Sequence, residues 1–217
     1  MTRAEAKINI LHKIDEISPF DDVDIQWDSL IEGTLDASVR TFYCTVPSRF
    51  LKSKVQNLGN NITLTRIPID KASFELQSDC IRLISIICAT WQIPITKLIT
   101  PDMQEFRFQS NIYLKGGSAK PKGYVSQEIS TADATKTVQR VVVSPFTAFN
   151  DDSDLTYYYI PMPDCGDTDN DTFAVQEDLQ EGIFWFVAYS ILISMKQTEF
   201  SKQAYMKYQE FLATKEW

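Results

Sequence analysis

The chain has 217 residues, 44% of them hydrophobic and 12% aromatic, with 21 Lys and Arg against 29 Asp and Glu. The net charge of −8 excludes a sequence-reading nucleic-acid binder, which needs a clustered basic face, although an acidic wall that repels phosphates can line a passage for DNA. The length holds one domain with a sizeable core, or one with an insert, and seven glycines are few for the phosphate loops of a catalytic α/β fold.

Residues 3–17 predict an amphipathic helix, with Ala4, Ile8, Leu11, Ile14 and Ile17 recurring at three- and four-residue spacing. Ser18-Pro19 ends it, because the residue before proline avoids the α region. Asp21, Asp22 and Asp24 mark a solvated loop. Asp28 is placed to cap a second helix running through Leu30, Ile31, Leu35 and Phe42. Pro47 breaks that helix, and Ser48 restarts a short third one over Phe50, Leu51 and Val55. Leu58-Gly59-Asn60-Asn61 reads as a turn.

From residue 62 the period changes. Ile62, Leu64 and Ile67 approximate alternation, and Ile81 to Cys88 is β-branched and apolar, so both read as strands. Phe106 with Phe108, and Ile112 with Leu114, continue the alternation. Lys115 to Pro121 is a turn or exposed loop, followed by strands at Tyr124 to Ile129, Val138 to Val143 and Leu155 to Ile160. The middle is thus a β-domain of antiparallel hairpins, closed by Pro161, Pro163 and an acidic loop.

The final helix starts near Ala174–Glu177 and runs to Trp217. Its apolar stretch, Ile183 to Met195, is about thirteen residues, too short for a membrane span of roughly 17–25. A helix apolar on all sides that stays out of a membrane is buried in protein. From Gln197 onward it turns polar, and Tyr205, Tyr208, Phe211 and Trp217 form a stripe suited either to docking a partner or to packing on the chain's own domain. No Lys or Arg stands between Arg140 and Lys196, whereas Asp151, Asp152, Asp154, Asp164, Asp167, Asp169, Asp171, Glu177, Asp178 and Glu181 are acidic. Lys196, Lys202, Lys207 and Lys215 follow, and both placements suit the dipole of that helix.

Candidate chemistry is sparse. His12 is the sole histidine, so a triad, dyad or histidine metal site lacks a second partner. Asp167, Asp169, Asp171 and Asp178 fall at the first, third, fifth and twelfth places of a calcium loop. Thr172 stands where glycine is needed and no helix precedes, so a solvated, mobile loop is the expectation. Lys115 to Gly123 lacks the Gly-Lys-Ser/Thr of a phosphate loop and reads as a hairpin tip with exposed lysines. Phe184, Trp185 and Phe186 point in different directions on a helix and fill several core surfaces. Cys44, Cys80, Cys88 and Cys165 are irregularly spaced, with no Cys-x-x-Cys, and the N-terminus has no apolar secretion segment. Reduced thiols in a cytosolic setting are expected, with Cys80 and Cys88 acting as small hydrophobes. No catalytic, cofactor-binding or metal-ligating set is assigned.

The order of features carries a resemblance. Ile8-Asn9-Ile10-Leu11-His12-Lys13-Ile14-Asp15-Glu16-Ile17-Ser18-Pro19-Phe20 resembles the opening of phage head-to-tail adaptor proteins of the tail tubular protein A type. In that family Ile-Asn, a Leu, Ile-Gly/Asp-Glu and a Pro-Val turn occur in this order; here Phe20 replaces the Val and one residue, Ile17 or Ser18, is extra. A second helix follows, as Trp27 to Thr45 does here. Val141-Val142-Val143-Ser144-Pro145-Phe146 and Leu155-Thr156-Tyr157-Tyr158-Tyr159-Ile160-Pro161 look like the family's paired strands, and Asp178 to Leu212 like its terminal helix. Residues 66–136 lie outside the resemblance. The acidic composition and unusual middle suit a short-tailed phage of the crAss-like group.

The resemblance implies a non-enzymatic virion protein, assembled in the host cytoplasm. Such adaptors form a closed ring, usually dodecameric, that binds the portal above and the next tail component below and surrounds exiting double-stranded DNA. A ring uses heterologous interfaces, here between the acid-rich segment 151–181 and lysine-bearing surfaces in 115–140 and 196–215. The expected fold is α+β: a helical bundle from residues 1–60 and 172–217, with a β-rich domain inserted at 61–171. The alternative is a cytosolic, non-enzymatic protein-binding module with a mobile acidic loop.

Overall fold

The computed structural model describes residues 1–17, 26–59, 65–67, 70–100, 102–107, 117–129, 137–147 and 150–215. In chain order the elements are α1 (Arg3–Ile17), α2 (Trp27–Thr45), β1 (Lys54–Asn57), β2 (Thr65–Ile67), β3 (Lys71–Glu75), β4 (Cys80–Cys88), α3 (Gln104–Arg107), β5 (Lys122–Ile129), β6 (Thr137–Ser144), β7 (Leu155–Pro161), α4 (Gln180–Ser194) and α5 (Thr198–Thr214). The fold is α+β: helices from both ends of the chain pack together, and two small antiparallel sheets are inserted between them. Met1–Lys52 and Met162–Trp217 form one unit, and Ser53–Pro161 the other.

In the helical unit α2 buries Ile31, Leu35, Val39 and Phe42, a three- and four-residue repeat facing the core. Asp28 does not cap it. The N-cap is Gln26, without a side-chain cap bond, and Asp28 lies in the first turn, where its charge complements the helix dipole. The buried side of α1 also differs from the expected stripe. Ala6, Ile10 and Ile14 face inward with Arg3 and Lys7, while Ile8 is 55% exposed. Apolar residues recur at helical spacing on two faces of α1, and ion pairing draws Arg3 and Lys7 to the inner one.

The all-round apolar segment is the core helix. α4 buries residues 182–188 with Ile191 and Leu192. Its aromatics serve separate surfaces: the Phe186 ring lies 5.8 Å from Phe42 of α2 and 5.2 Å from Tyr208 of α5. Lys13 of α1 sits 4.9 Å over the Trp185 ring. Glu181 accepts from Trp185 Nε1 at 3.0 Å and pairs with Lys13 at 2.7 Å. Among the described residues, no helix is long and apolar enough to cross a membrane.

The single long C-terminal helix is corrected to two. Lys196 takes φ +60°. Gln197 N–H donates to Leu192 O at 2.9 Å, and Lys196 N–H to Ile193 O at 3.0 Å. These two bonds make a Schellman closure, which satisfies carbonyls that a helix end leaves open. The chain then reverses, and α5 returns along α4 with the Phe211 ring lying over Gly182. The segment after Gln197 therefore packs back on α4.

In the β unit, one sheet has the order β1-β7-β4 and the other β2-β3-β6-β5, all pairs antiparallel. The strands expected at 81–88, 124–129, 138–143 and 155–160 correspond to β4, β5, β6 and β7. The core gathers Phe74, Ile86, Trp91, Val141, Val143 and Tyr157, and Trp91 Nε1 donates to Pro145 O at 2.8 Å. Two expectations fail here. The third helix stops after one 3₁₀ turn at Ser48–Phe50, because Val55 belongs to β1 and pairs with Tyr158 of β7. Gln104–Arg107 is a short helix where a strand through Phe106 was expected. Ile62, Leu64, Phe108, Ile112, Leu114 and Lys115 lie outside the described residues.

Candidate functional site

Among the described residues, a dense polar cluster lies in the helical unit, where the start of α1 meets α2 and the acidic loop. Arg3 is 2% exposed. Its Nη2 donates to Glu32 at 2.9 Å and its Nη1 to Asp36 at 2.9 Å. Nη1 also reaches the carbonyls of Cys165 at 3.0 Å and Gly166 at 2.7 Å. One guanidinium thus joins three stretches of chain, a task its rigid fork of donors suits better than an ammonium. Lys7, one helical turn on, pairs with Asp169 at 2.5 Å, Glu32 at 3.2 Å and Asp28 at 3.5 Å.

Main-chain bonds add a second fastening. Thr2 and Thr172 form an antiparallel bridge. Arg3 N–H donates to Asp171 O at 2.9 Å, Ala4 N–H to Asp169 O at 3.1 Å, and Phe173 N–H to Met1 O at 3.0 Å. The loop is shaped from within as well. Asp171 Oδ2 accepts from the N–H groups of Thr168 at 2.7 Å and Asp167 at 3.0 Å. Gly166 sits at φ +72°, and a Cβ there would lie 2.6 Å from that of Asp171, so glycine is required on both counts. The loop is solvated as expected, with Asp164 and residues 167–172 exposed, and it is fastened to α1 through Arg3 and Lys7.

The electrostatics follow the geometry. Burial alone lowers the Arg3 pKa, but the hydrogen bonds and charges of Asp36 and Glu32 outweigh it and raise the value. The hydrogen bond to Asp169 leads in pushing Lys7 up to about 12. The Arg3 hydrogen bonds hold the Glu32 carboxyl below its ordinary range. The N–H groups of Thr168 and Asp167, with the Thr168 hydroxyl, do the same for Asp171. Burial pushes the Cys165 thiol up to about 12, which keeps it protonated and unreactive while the loop is closed.

The calcium-like spacing of Asp167, Asp169 and Asp171 thus serves other ends: Asp169 holds Lys7, and Asp171 organises the backbone. Among the described residues, no three His, Cys, Asp or Glu side chains are grouped to hold a metal ion. An open concavity of about 820 Å³ adjoins Lys7, with Trp27, Asp28, Glu32 and residues 167–169 in its lining. His12 is exposed on α1. Of the lysine-bearing tip, residues 117–120 form an exposed turn, with Lys120 N–H donating to Gly117 O at 2.9 Å.

The aromatic stripe divides. Tyr208 is 4% exposed and packs inward, Phe211 is half-buried against Gly182, and Tyr205 is 42% exposed. Trp217 lies outside the described residues. Met206 and Ile193, 56% and 51% exposed, were no part of that stripe. No protein-family model and no curated protein matches this sequence.

Proposed function

We propose that this chain is an adaptor-ring subunit of a tailed-phage virion, similar to tail tubular protein A, which joins the portal to the next tail component and surrounds the DNA path. The observation that supports it best is the architecture: helices from both chain ends form one unit, and an antiparallel β unit closing on the Tyr-rich Leu155–Pro161 is inserted between them. That arrangement accords with the order of motifs behind the resemblance. The acidic composition suits a wall that DNA passes without sticking.

The surface offered to the portal or a neighbouring copy is the exposed side of the α4–α5 hairpin. Lys202 and Lys207 are exposed on α5, paired with Glu199 at 3.4 Å and Glu210 at 3.6 Å. Exposed pairs of this kind are worth little and exchange readily for partners on a neighbour. The acidic run 151–181 is divided between the two units, so its 162–181 part is the counterpart in the helical unit. Lys202→Glu with Lys207→Glu impairs ring assembly on this reading.

The full-length chain mixed with the portal protein of the same virion, followed by co-sedimentation and negative-stain imaging, tests the proposal. A ring layer bound to one face of the portal is the expected result; absence of both association and rings at micromolar concentration overturns it.

A further inference from the structure

The loop that Arg3 fastens differs in kind from the core it lies on. Its buried apolar anchors are few: Cys165, Phe173 and Val175. Asp164 and residues 167–172 are exposed. By contrast α4 is buried on nearly every side by apolar contacts. Stability follows buried apolar contact, and segments poor in it open at lower free energy than the core. What holds this loop is mostly polar: the Arg3 guanidinium, the Lys7 ammonium and the main-chain bonds to Met1, Arg3 and Ala4.

The carboxylates on Arg3 also differ from those of a sealed ion pair. Glu32 and Asp36 are 44% and 60% exposed, so each returns to water when the guanidinium is removed, and no buried charge is stranded. The usual cost of breaking a buried pair comes from the charge left behind. That cost is absent here; loss of Arg3 frees the loop from its two carbonyl bonds and removes the ties to Glu32 and Asp36 of α2.

We propose that residues 1–3 and 164–173 form a charge-locked strap that opens as one unit while the bundle core stays closed. Opening breaks the Thr2–Thr172 bridge and the Arg3 bonds to the Cys165 and Gly166 carbonyls together, because all of them join the same two short segments. It also uncovers the Cys165 thiol, which gives the motion a chemical reporter.

Peptide-resolved hydrogen exchange of the full-length chain, with N-ethylmaleimide labelling of Cys165 in parallel, tests the strap. In the wild type, amides of 164–173 exchange ahead of those of 183–192. In Arg3→Met, exchange in the strap and labelling of Cys165 both rise by roughly tenfold or more, the scale of a lost charged hydrogen bond, while exchange in 183–192 rises much less. Equal protection of the two segments in the wild type overturns the proposal without recourse to any variant. An unchanged strap in Arg3→Met, or a parallel rise in 183–192, overturns it too.

Discussion

Two helical glycines show how the same residue type serves opposite ends. At Gly182 an added Cβ would lie 2.5 Å from two atoms of the Phe211 ring, so α4 and α5 approach there because a side chain is missing. At Gly33, within α2, an added Cβ meets nothing within 4 Å. Gly182→Val therefore overpacks the hairpin, at a cost of about 1–3 kcal/mol, and combining it with Phe211→Ala removes most of that penalty. Gly33→Ala instead stabilises by about 0.4–1 kcal/mol, through the lower freedom of the unfolded chain. Thermal unfolding followed by circular dichroism distinguishes them, at about 2–4 °C per kcal/mol for a chain of this size. Glu32 supplies the corresponding pH test. Because Arg3 depresses its folded-state pKa, its contribution is complete above its ordinary value of 4.5 and is lost as pH falls through the lower folded value. Unfolding free energy of the wild type should drop with acidification below that point. Glu32→Gln should be less stable near neutrality and show a shallower acid slope; an unchanged slope would remove Glu32 from the account. The ion-pair network was not legible in the sequence, since nothing local to Arg3 and Lys7 marks the distant carboxylates that pair with them.

At the scale of elements, the break between α4 and α5 was hidden by one side chain. Helices that end in a Schellman motif usually place glycine in the left-handed position, and here that position holds Lys196 at φ +60°. The stretch around it, Ser194-Met195-Lys196-Gln197-Thr198, contains neither glycine nor proline, so periodicity alone runs through it. The apolar-to-polar change at that point was visible, and it marks where the chain leaves the core. Lys196→Gly should relieve the left-handed cost and stabilise by roughly 0.5–1 kcal/mol, whereas Lys196→Val, β-branched at a positive φ, should destabilise by about 1–2 kcal/mol. Chemical denaturation midpoints at a constant slope test the pair. If both variants unfold like the wild type, the turn does not hold Lys196 in that conformation. The strands were more legible than the helix ends. Val141-Val142-Val143 and Tyr157-Tyr158-Tyr159 are runs of β-branched and aromatic residues that fit a sheet in almost any context. β1 was not legible, because Lys54-Val55-Gln56-Asn57 has no strand pattern of its own and is fixed by its partner β7.

For the whole molecule, the useful quantity is where the inserted unit enters and leaves. Lys54 of β1 is paired with Tyr159 of β7, and directly opposite residues in an antiparallel ladder have Cα atoms about 4.5–5.5 Å apart. The chain therefore leaves the helical unit and returns to it at nearly the same place, although more than a hundred residues intervene. On the helical side the junction is tied by Gln176. Its Oε1 accepts from Lys52 N–H at 2.6 Å, its Nε2 donates to Phe50 O at 3.2 Å, and its N–H donates to Tyr43 Oη at 3.4 Å. The pairing of the two chain ends was readable from the apolar surplus of α4, which needed helices from elsewhere to cover it; the junction was not, since no local pattern marks Gln176. A chain in which Lys54 is joined to Tyr159 by an Asn-Gly turn, the two-residue link that such a ladder accepts, should keep the helical circular dichroism of α1, α2, α4 and α5 and unfold in one cooperative transition. Adding Gln176→Ala to that chain should lower its melting temperature further, because the junction then loses the two bonds made by the Gln176 side-chain amide to Phe50 and Lys52. A shortened chain without helical signal would show that the helical unit needs the β unit to fold, and would make the insertion a structural partner of the bundle instead of a separable module.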